Sequence, residues 1–168
     1  TMVSVYTTPD AGPYGWDLAG HYRVPTFAAA CTDSKIFDAQ AAAETALTLF
    51  DKALSGANII HDLGYLDCAM TGSLELVAFC DDVIEWIQRY WRPLEISEET
   101  LALDVIHATG PDGHFLETDH TLRHVREAWT PTLFDRNDFD TWSSNGSSTL
   151  QERANLRVKE IIESHRAE

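Results

Sequence analysis

The sequence predicts a helix-rich α/β fold, and three observations carry that prediction. Two short apolar runs are each closed by polar residues, as buried strands are. Each run is followed by a long segment whose apolar residues recur at helical spacing. Everything after Pro93 reads as helices and turns. Two successive strand–helix units imply parallel strands in a sheet or barrel, followed by C-terminal helices.

The first strand spans Val24–Ala30 and is closed by Thr32 and Asp33. In the helix that follows, Ala43, Ala46, Leu47, Phe50, Ala53 and Leu54 form the apolar stripe, with Asp38 as the cap at its start and Gly56 at its end. The second strand, Asn58–Ile60, ends in the polar pair His61 and Asp62. Beyond the loop "GYLDCAMTGS" a long helix runs from Gly72 to Trp91, with Leu76, Val77, Cys80, Val83, Ile84 and Ile87 on one face. Phe79, Trp86 and Tyr90 widen its apolar surface, so it should be covered on more than one side before Pro93 stops it. "SEETLALDVIHATG" predicts a helix capped by Ser97 and ended by Gly110. "TDHTLRHVREAW" predicts a short helix stopped before Pro131, and "PTLFDRNDFDTWSSNGSS" a turn-rich loop. Ser148 with Gln151 reads as a capping box for a last helix striped by Leu150, Ala154, Val158, Ile161 and Ile162. The whole, 1–168, reads as a single domain: an edge over 1–22 that begins with Thr before Met, strand–helix units over 23–92, and a helical region over 93–168.

Composition bounds the function. The chain has 168 residues, 44% of them hydrophobic and 23% charged, which is ordinary globular composition. Its net charge of −15 repels phosphate backbones and anionic membrane surfaces, so neither nucleic acid nor membrane is an expected partner. A cationic ligand suits that field better. Cys31, Cys68 and Cys80 have no C-x-x-C spacing, and Cys80 sits in a helix as a small buried hydrophobe. With no signal peptide and no apolar run of membrane length, the expected location is the cytoplasm.

Two groups of residues are candidates for chemistry. The first lies at the strand ends: Asp33 after one strand, His61 and Asp62 after the next, and Tyr65 just beyond. In parallel α/β architectures the carboxyl ends of strands carry the site. The second is the pair His120 and His124, four apart in a helix and on one face with Glu127. Two imidazoles and a carboxylate are the ligands of several zinc sites, and a zinc-dependent hydrolase is the reading they would support. The Glu general base of H-E-x-x-H is absent, however, and Arg123 and Arg126 bring positive charge close by. The expectation is therefore no metal, with these histidines bonding at the surface or between helices. Cys31 ends a strand, but no base beside it is identifiable.

The segments "GANIIHDLGYL", "TGSLELVAFCDDVI", "ISEETLALDVIHATGPDGHFLETDHTLRH" and "PTLFDR" together resemble the C-terminal third of the trimethylamine methyltransferase family, from about Arg23 to the end, with order and spacing preserved. The resemblance implies a TIM-barrel enzyme that moves a methyl group from a methylated amine to the cobalt of a corrinoid (cobalamin) on a separate protein, with no cofactor bound directly. Members that lack pyrrolysine use quaternary amines such as glycine betaine, and no pyrrolysine stands in this chain. Aromatic faces and carboxylates suit a cation, a task that Tyr65, Asp33 and Asp62 could share while His61 bonds a betaine carboxylate. A family member is several times longer, so this chain would supply a partial barrel, about a quarter of an eight-stranded one. Its length keeps a second class open: a non-catalytic assembly or binding module that retains the family's C-terminal surface. Strands and a broad apolar helix that so short a chain cannot cover also lead to the expectation of a homo-oligomer, most simply a two-fold dimer.

Overall fold

The computed structural model describes residues 3–5 and 12–166, with side chains from Asp17 onward. The fold is helix-rich α/β, as the sequence predicts. Strand β1 (Val3–Val5) precedes helix α1 (Gly12–Tyr22), and both lie in the segment read above as an edge. β2 (Thr26–Ala29) leads into α2 (Ala39–Leu54), and β3 (Ile59–His61) into a hairpin of β4 (Tyr65–Leu66) and β5 (Thr71–Gly72). Helix α3 spans Leu74–Trp91. The first three strands form one parallel sheet in the order β1-β2-β3, with Val5 opposite Ala28 and Ala29 opposite His61. Register at the start of β2 and β3 is set by a reciprocal pair: Thr26 N–H donates to Asn58 Oδ1 at 2.8 Å, and Asn58 N–H to Thr26 Oγ1 at 3.1 Å.

The chain folds as two compact units, Thr1–Ile87 with Pro131–Glu168, and Gln88–Thr130. The first holds a core built from Ala30, Phe37, Leu49, Leu66, Leu76, Phe79, Val83, Ile87, Leu133 and Ala154. Phe79 packs at tilted angles against Phe37 and Phe134, and Arg136 lies 4.9 Å over the Trp86 ring. Asp82, buried in the middle of α3, accepts from Thr132 N–H at 2.8 Å, Thr132 Oγ1 at 2.6 Å and Leu133 N–H at 3.2 Å, which fastens the "PTLF" segment to the helix.

Several elements differ from expectation, each for a local reason. The buried face of α2 is Ala41, Thr45, Leu49 and Lys52, flanked by Ala42, Ala46, Phe50 and Ala53, while Ala43 and Leu47 face outward. Two polar residues on the buried face hid it from an apolar count. Asp38 caps α2 as expected, its side chain accepting from Ala41 N–H at 3.0 Å. The turn-rich loop contains α7 (Phe139–Ser144), capped by Asp138. The capping box of the last helix, α8 (Leu150–Ser164), is Thr149 with Glu152, one residue beyond the predicted pair. Only the first half of its stripe is covered, since Ala154 is buried and Ile161 and Ile162 are exposed.

The second unit holds α4 (Glu98–Leu101), α5 (Leu103–Thr109), α6 (Asp119–His124) and a 3-10 turn (Val125–Glu127). Ser97 caps α4 through a capping box with Thr100, but the single helix expected after it is broken at Ala102, whose φ of 46° interrupts the ladder. No residue from 88 to 130 is buried. Among the described residues no helix is long and apolar enough to cross a membrane.

Candidate functional site

Because β2 and β3 run parallel, the residues that follow them emerge at the same end of the sheet. Two loops meet there. Ala30 N–H donates to His61 O at 2.9 Å, Thr32 N–H to Tyr65 O at 3.3 Å, Cys68 N–H to Thr32 O at 3.3 Å and Asp67 N–H to Ser34 O at 2.9 Å. The backbone after β2 is thus stitched to the backbone after β3 over several residues.

Side chains tighten this arrangement. Thr32, only 2% exposed, donates its hydroxyl to Glu44 Oε2 at 2.5 Å and accepts from Ser34 N–H at 3.0 Å. The same Glu44 oxygen accepts from Asp33 N–H at 2.9 Å. These bonds, the Thr32 hydroxyl first, hold the Glu44 carboxyl below its ordinary value. Lys35 donates to Asp33 O at 2.7 Å and pairs with Asp67 at 3.3 Å.

The four strand-end candidates fall into separate contacts. His61 Nδ1 and Asp62 Oδ1 are 2.8 Å apart, and the His61 ring stacks on Phe27 with centroids 3.7 Å apart. That bond commits Nδ1 to the carboxylate and directs any ligand to Nε2. Asp62 holds a φ of 60°, and Gly64 follows it at 82°. A Cβ on Gly64 would come within 2.2 Å of Val77 Cγ2 and 3.0 Å of Ser73 O, so the turn needs glycine to reach the start of α3. Asp33 accepts from the Cys68 thiol at 2.8 Å, and this bond raises the Cys68 pKa and keeps it a thiol. Tyr65, 41% exposed, joins through its backbone carbonyl and leaves its ring partly open to solvent. Asp67, Cys68 and Ala69 all adopt left-handed φ, between 51° and 69°, a run that L-residues rarely sustain.

Glu44, Thr32 and Cys68 were not foreseen in this cluster. The signal for Glu44 is present but faint. A βα connection brings the first turns of its helix back over the strand end, and Glu44 is the first carboxylate after the Asp38 cap. Cys80 is buried as expected, and burial pushes its thiol up to about 11. None of the three cysteines is in a disulfide.

In the other unit His120 and His124 meet a residue the sequence reading left out. Glu99, from α4, accepts from Arg123 at 2.8 Å and lies 3.0 Å from His124 Nε2, both through Oε1. His120 Nε2 is 2.8 Å from the Glu99 backbone carbonyl, and His124 Nδ1 is 2.9 Å from Glu127. The bonding between helices expected of these histidines is what the structure shows. His124, with Arg123, draws the Glu99 carboxyl down to about 2, while Glu99 and then Glu127 raise His124.

The Trimethylamine methyltransferase (MTTB) family model matches residues 15–168, beginning ahead of Arg23, from about which the resemblance in sequence runs. The chain belongs to this family. It is 38% identical over 148 residues to a glycine betaine methyltransferase of Desulfitobacterium hafniense (strain Y51), covering 86% of this chain and 31% of that protein. It is 35% identical over 149 residues to trimethylamine methyltransferase MttB2 of Methanosarcina mazei, covering 88% of this chain and 30% of that protein. Trimethylamine methyltransferase MttB of Methanosarcina barkeri (strain Fusaro) is 34% identical over 149 residues, 88% of this chain and 30% of its own length. The chain therefore spans about a third of the length of the curated relatives it matches.

Proposed function

We propose that this chain is part of an amine methyltransferase that moves a methyl group from a methylated or quaternary amine to a corrinoid carried by a separate protein, and that it helps to hold the amine. Family membership together with one observation supports this reading: carboxylates and an open aromatic ring stand at the carboxyl end of a parallel sheet. In this proposal Asp33, Asp62 and Tyr65 face the cationic nitrogen, and His61 Nε2 bonds the carboxylate of a betaine. The corrinoid supplies the nucleophile; the residues here supply only placement of the methyl group toward it.

The charge balance says what such a site should be. When the C–N bond breaks, its electron pair returns to nitrogen, the cation becomes a neutral amine, and the methyl group bonds to the acceptor. A strong ion pair would stabilise the substrate more than the transition state. Half-exposed carboxylates and an aromatic face grip the cation moderately and let go once the charge is gone. The donor set fits a methylated amine on that ground.

The three parallel strands belong, in this reading, to a TIM-barrel-like partial barrel completed by chain beyond this portion, in a cytoplasmic protein. The proposed single domain over 1–168 is kept, with β1 and α1 adding a strand–helix unit within the 1–22 edge to those over 23–92, followed by a helical region over 93–168. A homo-oligomer is part of the proposal as well, supported by the exposure of Leu74, Val77 and Trp86 on α3.

Titration calorimetry with glycine betaine and with trimethylammonium tests the site. Saturable millimolar binding is expected, weakened about tenfold in Asp62→Asn. A full-length family member carrying these same segments should methylate a reduced corrinoid acceptor, and failure to do so with any methylated amine sinks the reading. Binding that is absent here yet present in that longer protein would favour an assembly module for this portion.

A further inference from the structure

We propose that Glu99, His120 and His124 form a site for a divalent transition metal, zinc above all, which fastens α4 to α6 with water as its fourth ligand. The three side chains come from two helices, and their ligand atoms lie within 4.8 Å of one another. Tetrahedral zinc with bonds of about 2.0–2.1 Å needs ligand atoms about 3.4 Å apart. Side-chain movement of about an ångström closes that gap, with the ion taking the place of Arg123 on Glu99 Oε1. Glu99 Oε1 and His124 Nε2, already 3.0 Å apart, are close to the required spacing. His120 and His124 share one face of α6, their ring centroids 4.5 Å apart.

Glu127 sits 2.9 Å from His124 Nδ1, so a carboxylate engages the ring nitrogen opposite the one that faces Glu99. That carboxylate–imidazole arrangement fixes the tautomer and orientation of histidines that bind zinc. Two imidazoles and a carboxylate select zinc over magnesium or calcium, which prefer all-oxygen shells. Arg123, 2.8 Å from Glu99, opposes a cation, but Glu99 and Glu127 outweigh its single charge. The unit also has no buried core. No residue from 88 to 130 is buried, and segments this short ordinarily need a metal, a disulfide or a partner.

The test is a titration of the full chain, stripped with chelator and desalted, with zinc followed by calorimetry and with cobalt(II) followed by visible absorption. One zinc per chain is expected, with a dissociation constant in the micromolar range or tighter and a cobalt spectrum of tetrahedral type. His120→Ala and His124→Ala should each abolish uptake. Glu127→Gln, which leaves all three ligands in place, should weaken uptake about 10- to 100-fold. Hydrogen exchange on the unaltered chain gives a readout free of any variant: zinc should slow amides of α4 and α6 and leave those of β2 and α3 unchanged. The proposal is overturned by no zinc uptake, by uptake that persists in His120→Ala/His124→Ala, or by protection that appears elsewhere.

Discussion

The two titratable clusters are built in opposite ways. At the strand ends, side chains decorate a framework of backbone hydrogen bonds, and the key donor, the Thr32 hydroxyl, is buried. In Gln88–Thr130 the cluster of Glu99, Arg123, His120 and His124 itself links α4 to α6, and it is made between partly or fully exposed groups. Exposed ion pairs contribute little, because water and salt screen them and long side chains lose freedom in making them. Interior bonds are protected, and leaving one unmade is costly. The strand-end site is therefore held by the fold, whereas the second cluster has to help hold the fold that bears it.

Hydrogen exchange gives the largest expected difference between them. Amides of β2 and of α3 from Leu76 to Ile87 should exchange only through near-global opening, and those of α4 to α6 through local opening, with protection differing by at least a thousandfold, about 4 kcal/mol. Comparable protection in both would mean that the second unit has cover of its own. Next in size is Gly64→Ala. The new methyl group would meet Val77 and Ser73 at a residue already held at a φ of 82°, and a loss on the order of 3 kcal/mol is expected from urea unfolding. Because Gly64 lies between Asp62 and Tyr65, amine binding should fall with it.

How much of this could be read from the sequence follows the same division. The parallel strands, the Asp38 and Ser97 caps and the extent of α3 were legible, because each rests on local chemistry: an apolar run, a capping side chain, a proline stop. The pairing of His61 with Asp62 was legible as adjacency, though not as stacking on Phe27. The roles of Glu44 and Glu99 were not. Each is a carboxylate in a helix, and what gives it a role is a partner 11 to 25 residues away in sequence, which periodicity does not report. The buried face of α2 was misread for a related reason: Thr45 and Lys52 are polar by type and buried by position.

A pH titration sharpens the contrast at an intermediate scale. The Glu44 carboxyl titrates below its ordinary value in the folded chain, chiefly through the Thr32 hydroxyl. A depressed carboxylate contributes stability that is present above its unfolded pKa and lost as pH falls through its folded one. Glu44→Gln should therefore be less stable than the unaltered chain at neutral pH, and the gap should narrow on acidification below the ordinary carboxylate range of about 4. Glu44→Ala, which strands the buried Thr32 hydroxyl, should cost about 1–3 kcal/mol at neutral pH. A gap between Glu44→Gln and the unaltered chain that stays constant with pH would mean the carboxylate's charge plays no part.

The smallest expected effect has the opposite sign. Thr45 lies fully buried on α2, and its Oγ1 has no hydrogen-bond partner among the described residues. A hydroxyl taken out of water without a partner costs free energy, whereas a methyl group of nearly the same shape gains from burial. Threonine and valine have similar helix propensities, so the helix itself is indifferent to the change. Thr45→Val should accordingly raise the thermal midpoint, with a gain of about 1 kcal/mol in urea unfolding. The same argument fails wherever the hydroxyl reaches water, so it applies only in the unit that has an interior. If Thr45→Val destabilises the chain instead, the hydroxyl has found a partner, and the Ala41 carbonyl one helical turn back is the acceptor within its reach.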